Sequence, residues 1–554
     1  MRLLLFTFGF VTLFALVSLA QATAAPYAPH AGPTIRVSVK SDGSQSNDDS
    51  NLSDISADGR TITFISLADN IVSGDTNDQQ DIFVHDTQTG VTERVTDHAN
   101  GPSYDPKISD DGRYVVFASR ASNLVADDNN GKQDIFIYDR SGQTMQLVSV
   151  VVNGGADNDS RHPDISGNGR YIVFSSSATN LVGEDNNLRD DVFRWDQQAK
   201  VMERISVDSN EAEGNGHSHS PAISSDGSRI VFVSIAANLV SGDSNNLPDI
   251  FLREINDDDT FRLSQSGATE ANGDNLDPAI SNNGDYVVFV SFSNNLVIND
   301  TNGYPDIYLR DLTDASMARI SITSANAQPD DWCEEPAISG DGRYVVFQSY
   351  ASTLLSDNVS GSRDVFILDR QDHSFTRASI ASSGVVGNAS SKEPVIAADG
   401  RYIAYSSKAD NLILIDTNGK RDIFVHDMKT SLPPPTLNIN HSTAAPGSLL
   451  AFDGQYWEID STISVYVNDV LVGTTTADNA NNMAFRLESF AATQEGGYLV
   501  RVTQDSTELY AYFRLLNDAP LWSGSGSTFP IPNGIAQTHF QFLPALMGEE
   551  DEDD

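Results

Sequence analysis

Hydrophobic residues in this chain come in short runs separated by turns rich in Asp, Asn and Gly, and the runs recur at a fixed period. Each period approximates an apolar-Ile-Ser-x-x-Gly-Arg-Tyr stretch followed by an apolar run that ends in an aromatic. The central isoleucines are Ile55, Ile108, Ile165, Ile223, Ile280, Ile338 and Ile396, at steps of 53, 57, 58, 57, 58 and 58 residues. Nine residues after each comes Phe64, Phe117, Phe174, Phe232, Phe289, Phe347 or Tyr405. A period this long, built from short strands and turns, predicts an all-β chain folded as a closed propeller.

The second unit shows the predicted blade. Pro106–Ser109 is the innermost strand, and Asp110-Asp111-Gly112-Arg113 is a tight turn in which glycine supplies the positive φ. Tyr114–Ser119, Asp134–Asp139 and Met145–Val150 are the next three strands. The second-strand aromatics are matched on the third strands by Phe83, Phe136, Phe193, Phe251, Tyr308, Phe366 and Phe424, and both sets are expected between blades. The seventh unit lacks a fourth strand. Thr34–Val39, near the N-terminus, resembles the fourth strands of the other units. Seven blades are therefore expected, closed by the N-terminal strand, which removes two open sheet edges.

The loop between second and third strands repeats the pattern Asp-x-Asn-x-x-x-Asp. It reads Asp75/Asn77/Asp81, Asp128/Asn130/Asp134, Asp185/Asn187/Asp191, Asp243/Asn245/Asp249, Asp300/Asn302/Asp306 and Asp416/Asn418/Asp422, with Asn358/Ser360/Asp364 departing from it. Oxygen side chains at alternate positions curl around one point, and Ca²⁺ is the ion that takes six to eight such oxygens. Two carboxylates ~5 Å apart repel by about 3 kcal/mol at an effective dielectric of 20, which a divalent ion reverses. The alternative is Asx-turn chemistry alone, because Asp and Asn bond to their own backbone in turns. The loops between blades share a face with these loops, and function is expected on that long-looped face.

The net charge of −43, from 77 acidic and 34 basic residues, excludes a phosphate backbone as the natural partner. Arg2 followed by the apolar stretch Leu3–Leu19 and Ala22-Thr23-Ala24 reads as a secretory signal peptide over residues 1–24. The stretch is near spanning length, so an uncleaved anchor is the alternative; no later segment is apolar enough to cross a bilayer. Cys333 is the sole cysteine and forms no internal disulfide. His217, His219 and His162 lack a third metal ligand at suitable spacing, while Tyr104, Trp332 and Tyr304 could stack on a sugar. Serine-hydrolase, zincin and phosphate-loop motifs are absent from the sequence.

The repeat Ile-Ser-x-Asp-Gly-Arg-Tyr-Val-Val-Phe with its later Asp-Ile-Phe-x-x-Asp resembles the WD-like propeller repeats of the TolB family over residues 34–428. The resemblance implies an exported bacterial protein that binds other proteins. TolB itself has six blades and a preceding α/β domain, and this chain has neither. After Pro433-Pro434-Pro435, in a linker over 429–435, residues 436–517 hold short strands that resemble an immunoglobulin-like sandwich, serving as spacer or binder. Residues 518–554 form a tail with an acidic end. The whole reads as an exported, monomeric, non-catalytic propeller. Its acidic, Ca²⁺-binding loop face takes a protein or glycan in the periplasm, at the cell surface or outside the cell. An extracellular carbohydrate-active hydrolase or lyase using loop-face carboxylates is the alternative.

Overall fold

The computed structural model describes residues 33–428, except 127, 152–153, 184, 324–326, 356–360 and 414–415, and much of 437–517 together with 529–530. The signal segment, the linker and the acidic end lie outside the described residues. The chain divides into two compact units, Met1–Lys429 and Thr430–Asp554.

Among the described residues of the first unit, seven antiparallel sheets have four strands each. The second sheet runs Ser103–Ile108, Tyr114–Ser119, Asp134–Asp139 and Thr144–Leu147. Its innermost strand starts earlier than the hydrophobic pattern suggested. Polar Ser103 pairs across to Ser119, hydroxyl to hydroxyl at 2.9 Å, so a hydrophobic count misses it. The outer strand ends early at Leu147, and Val150–Val151 turns back to pair with Gly154–Gly155.

Two sets of bonds close the ring. Thr34–Arg36 lies antiparallel to the last third strand, with Thr34 opposite His426, Ile35 opposite Val425 and Arg36 opposite Phe424. Regular pairing stops short of the expected Val39 because Ser38 turns its hydroxyl into Asp422 Oδ1 at 2.6 Å. Around the axis, backbone N–H groups of adjacent turns donate in sequence: Ala57 to Asp110, Asp110 to Gly167, Gly167 to Ser225, Ser225 to Asn282, Asn283 to Gly340, Gly340 to Ala398, and Ala398 back to Ala57, at 2.9 to 3.2 Å.

The repeat's signature residues are used in packing. Phe64 and Phe83 stand opposite each other in register with ring centroids 5.7 Å apart. They share a core with Val37, Ala404 and Val425 of the closing sheet, so the aromatics do pack between blades. Arg113 of the tight turn binds Asp139 with two parallel bonds of 3.0 and 2.7 Å. Its guanidinium also covers the Tyr114 ring at 4.6 Å. The ring of Tyr114 presses on Gly169 of the next blade, at φ +72°, where a Cβ would fall 2.2 Å from Tyr114 Cδ2. Glycine there satisfies both the turn and the close approach.

The second unit packs a four-stranded sheet against a five-stranded one. Phe452 and Phe485 from the first sheet and Val465, Val500 and Phe513 from the second share one core. Asn468, at φ +47°, turns Ile463–Val467 into Val470–Thr475.

Candidate functional site

The Asp-x-Asn-x-x-x-Asp loops fold to one plan. Asn77 donates to Asp81 (3.0 Å) and to the carbonyl of Ala99 (3.0 Å), while its own Oδ1 accepts the Gln79 amide (2.9 Å). Asn130, Asn187, Asn245, Asn302 and Asn418 donate in the same way to Asp134, Asp191, Asp249, Asp306 and Asp422. The Asx turn is therefore present. The other oxygen of the final Asp accepts the hydroxyl of the residue two positions beyond the outer strand, Thr96, Ser149, Ser206, Ser264, Ser321 or Ser38.

Where Ca²⁺ was expected, five of the six loops meet an arginine instead. Arg94 Nη1 lies 2.6 Å from Asp75 and 3.4 Å from Asp81. Arg262 Nη1 lies 3.2 Å from Asp243 and 3.7 Å from Asp249. Arg319 Nη1 lies 2.8 Å from Asp300 and 3.2 Å from Asp306, and Arg36 Nη1 lies 3.2 Å from Asp416 and 3.3 Å from Asp422. The oxygens of Asp185, Asp191 and Glu213 lie within 4.8 Å of one another, a metal-like grouping, yet Arg204 contacts all three at 3.3, 3.6 and 3.4 Å. A guanidinium built into the fold neutralises these buried carboxylates. In the sixth unit Asn358 and Ser360 lie outside the described residues, and Asp364 keeps Arg377 at 3.4 Å. The second blade has Leu147 at the arginine's position.

With most loop carboxylates so engaged, the remaining polar groups converge on the central channel. At the tight-turn end the channel is closed. Asp110 reaches across the axis, accepting the Ser225 hydroxyl at 2.6 Å and the Asn282 amide at 3.0 Å, from two and three blades away. A Cβ on Gly167 would lie 1.9 Å from Asp110 Oδ2. Above this plug Lys107 Nζ stands 3.9 Å from Asp54, while Asp54 and Asp164 accept the amides of Ile108 and Ile223. Burial pushes the Asp164 carboxyl up to about 6, with Lys107 opposing.

At the long-loop end every innermost strand has a β-bulge whose residue is left-handed: Leu52, Asp105, His162, Ser220, Asp277, Glu335 and Glu393, at φ 42° to 56°. Such backbone is costly for residues other than glycine and concentrates at functional positions. One side of this ring is acidic. Burial pushes Glu335 up to about 7, and the neighbouring charges of Glu393 and Asp277 add to it. Asp277 and Glu393 are themselves raised by burial. Glu393 accepts the Leu52 amide (2.9 Å) and pairs with Lys392, while Glu334 meets Arg363 at 3.3 Å.

The other side is imidazole-rich. Asp159, Arg161, His162, Ser175, Asp190 and His219 line a cavity of ≈ 230 Å³. Burial lowers the His219 pKa, and His162 adds to the effect. His217 Nδ1 lies 3.3 Å from Asp190, which lines the same cavity.

An aromatic platform adjoins the acids. Trp332, 43% exposed, stands edge-on to Phe292 at 5.7 Å and 88°. Its carbonyl accepts the Tyr350 amide (3.3 Å), and Arg363 lies over the Tyr350 ring at 4.7 Å while bonding Glu334. Of the aromatics expected to stack on sugar, Trp332 and Tyr304 are exposed, whereas Tyr104 packs against the core between the second and third blades. The bulge acids went unnoticed in the sequence because the residue before each innermost-strand proline varies in type. Its repeated position was the available signal.

No protein-family model and no curated protein matches the chain. Among solved structures it is similar to an oligogalacturonate lyase from Vibrio parahaemolyticus, at 12% identity over 74% of this chain and 92% of that one, with a TM-score of 0.44. An oligogalacturonate lyase in complex with manganese gives 11% identity, 72% and 97% coverage and a TM-score of 0.45. A putative TolB from Agrobacterium tumefaciens gives 16%, 63% and 97%, with a TM-score of 0.35. Seven four-stranded sheets joined in a ring by the backbone bonds of their tight turns make the fold a β-propeller.

Proposed function

We propose that this is an exported, non-catalytic binding protein whose propeller takes a neutral or amino-bearing glycan at the open mouth of its channel. The carrying observation is the juxtaposition at that mouth: an exposed Trp332–Phe292 platform beside Glu334, Glu335, Glu393 and Arg363. Aromatic faces take the apolar side of a sugar ring, and carboxylates and a guanidinium take its hydroxyls. The crowding of acids that raises Glu335 disfavours a polyanionic chain and favours a ligand carrying an ammonium group. Export is supported by the N-terminal apolar segment ending at Ala24.

The test is titration of the mature chain with chito-oligosaccharide amines, neutral oligosaccharides and oligouronates, followed by calorimetry. Binding of the first two classes is expected, weakened at least about tenfold, or 1.4 kcal/mol, by Trp332→Ala and by Glu335→Gln. Preference for oligouronates, or binding indifferent to both substitutions, removes the proposal. A basic peptide that binds in place of any sugar assigns the mouth to a protein partner.

A second reading rests on Glu335 alone. A carboxyl held at about 7 is partly protonated near neutrality, the state a general acid needs, and Asp277 and Glu393 lie close enough to perturb it. Turnover of a bound glycan that disappears in Glu335→Gln would make the chain a hydrolase or lyase.

A further inference from the structure

In the second blade the loop carboxylates keep the common fold without the common counter-charge. Leu147 stands opposite Phe136, as Arg94 stands opposite Phe83, Arg204 opposite Phe193, Arg262 opposite Phe251 and Arg319 opposite Tyr308. Asp134 is fully buried and has neutral partners, accepting Ser149 Oγ at 2.6 Å and Asn130 Nδ2 at 2.6 Å. Asp128 is 3% exposed, and its Oδ1 has no hydrogen-bond partner among the described residues. Among those residues no ion pair reaches either carboxylate. The blade has lost its auxiliary acid as well. Glu213 and Glu270 pair with Val207 and Gln265 after the fourth strand, whereas the matching partner of Val150 is Gly155. A Cβ on Gly155 would lie 2.5 Å from Asn130 Nδ2, so the loop has closed over the site and admits no side chain there.

We propose that the second blade binds one hard cation, Ca²⁺ by its all-oxygen donors, between Asp128 and Asp134 at the point other blades fill with arginine. The arginine blades locate that point. One guanidinium nitrogen touches both carboxylates at 2.6 and 3.4 Å in the first blade, 2.8 and 3.2 Å in the fifth and 3.2 and 3.3 Å in the seventh. Leucine is too short to reach it. A buried carboxylate pair without a cation is unfavourable, and a bound ion supplies the missing charge. Two carboxylates plus water and carbonyl oxygens give affinity of about 10⁻⁴ to 10⁻³ M, the range of extracellular calcium modules. The inference stands apart from the reading of the channel mouth.

Calcium alone is the probe, added to the chelator-treated mature chain. Equilibrium dialysis at about 5 mM Ca²⁺ is expected to find one ion per chain, and its binding to raise the melting temperature. Asp128→Asn and Leu147→Arg are each expected to abolish the bound ion. Leu147→Arg, which supplies an internal guanidinium, is expected to melt without calcium at or above the temperature of the calcium-loaded parent. Arg319→Leu recreates the arrangement in the fifth blade and is expected to raise the stoichiometry from one to two. No retained calcium in the parent, or one ion that survives both Asp128→Asn and Leu147→Arg, overturns the proposal. Should Leu147→Arg fail to fold, Asp128→Asn decides alone.

Discussion

At the scale of single residues, the loops between second and third strands are organised by a buried carboxylate pair and the charge that answers it. In the fifth blade that charge is Arg319, itself almost wholly buried against Asp300 and Asp306. Arg319→Ala leaves two buried carboxylates facing each other, and the expected loss is about 3 to 5 kcal/mol in urea unfolding, well beyond what an exposed ion pair gives. A loss below about 1 kcal/mol would show that water solvates the loop acids. The periodic Asp and Asn positions were legible in the sequence, and so was the choice between an ion and an Asx turn. The arginine's part was not. It lies on the following strand in five blades, is replaced there by Leu147 in the second, and comes from the opposite end of the chain, as Arg36, in the seventh. Only the fold brings the two patterns together.

At the scale of elements, the ring depends on its first short strand. Thr34–Arg36 completes the last sheet, and Ser38 continues the seal by donating to Asp422 while accepting the Ile423 amide at 3.1 Å. Ser38→Ala leaves that buried amide without its acceptor, while Asp422 Oδ1 keeps the Ser46 hydroxyl at 3.0 Å, and is expected to cost about 1 to 3 kcal/mol in denaturant unfolding. An unchanged midpoint would mean that the closure tolerates the loss of its polar contacts. The strand's existence could be read from its likeness to other fourth strands, because Arg and Ser recur there at fixed spacing. Its length could not, because Val37 to Val39 continue the apolar alternation after ladder pairing has ended. The bulges were invisible for a related reason. Asp105, Asp277 and Glu335 look like ordinary polar strand positions, and only the backbone shows them turned left-handed beside a proline.

At the scale of the whole molecule, buried acids set an unusual response to pH. Burial raises Glu335 to about 7 and Asp134 and Asp164 to about 6, so the folded chain binds these protons more tightly than the unfolded chain does. Their contribution is fully present at low pH, below the ordinary carboxylate range, and is lost as pH rises through 6 and 7. His426, lowered to about 4 by burial, acts oppositely, and Asp196, held at about 2 by Arg170, withdraws its support only in stronger acid. Calorimetry is therefore expected to give a melting temperature a few degrees higher near pH 5.5 than near pH 8, with a shallower slope in Glu335→Gln. A flat or inverted profile would remove the view that the mouth acids are neutral when folded. The plug of Asp110, Ser225 and Asn282 carries a consequence for what such a mouth can recognise. A long polymer cannot be threaded through this ring as a cord through a bead. It can only dip one terminus into the cup or lie across the rim, so affinity should level off after a few units however long the polymer grows.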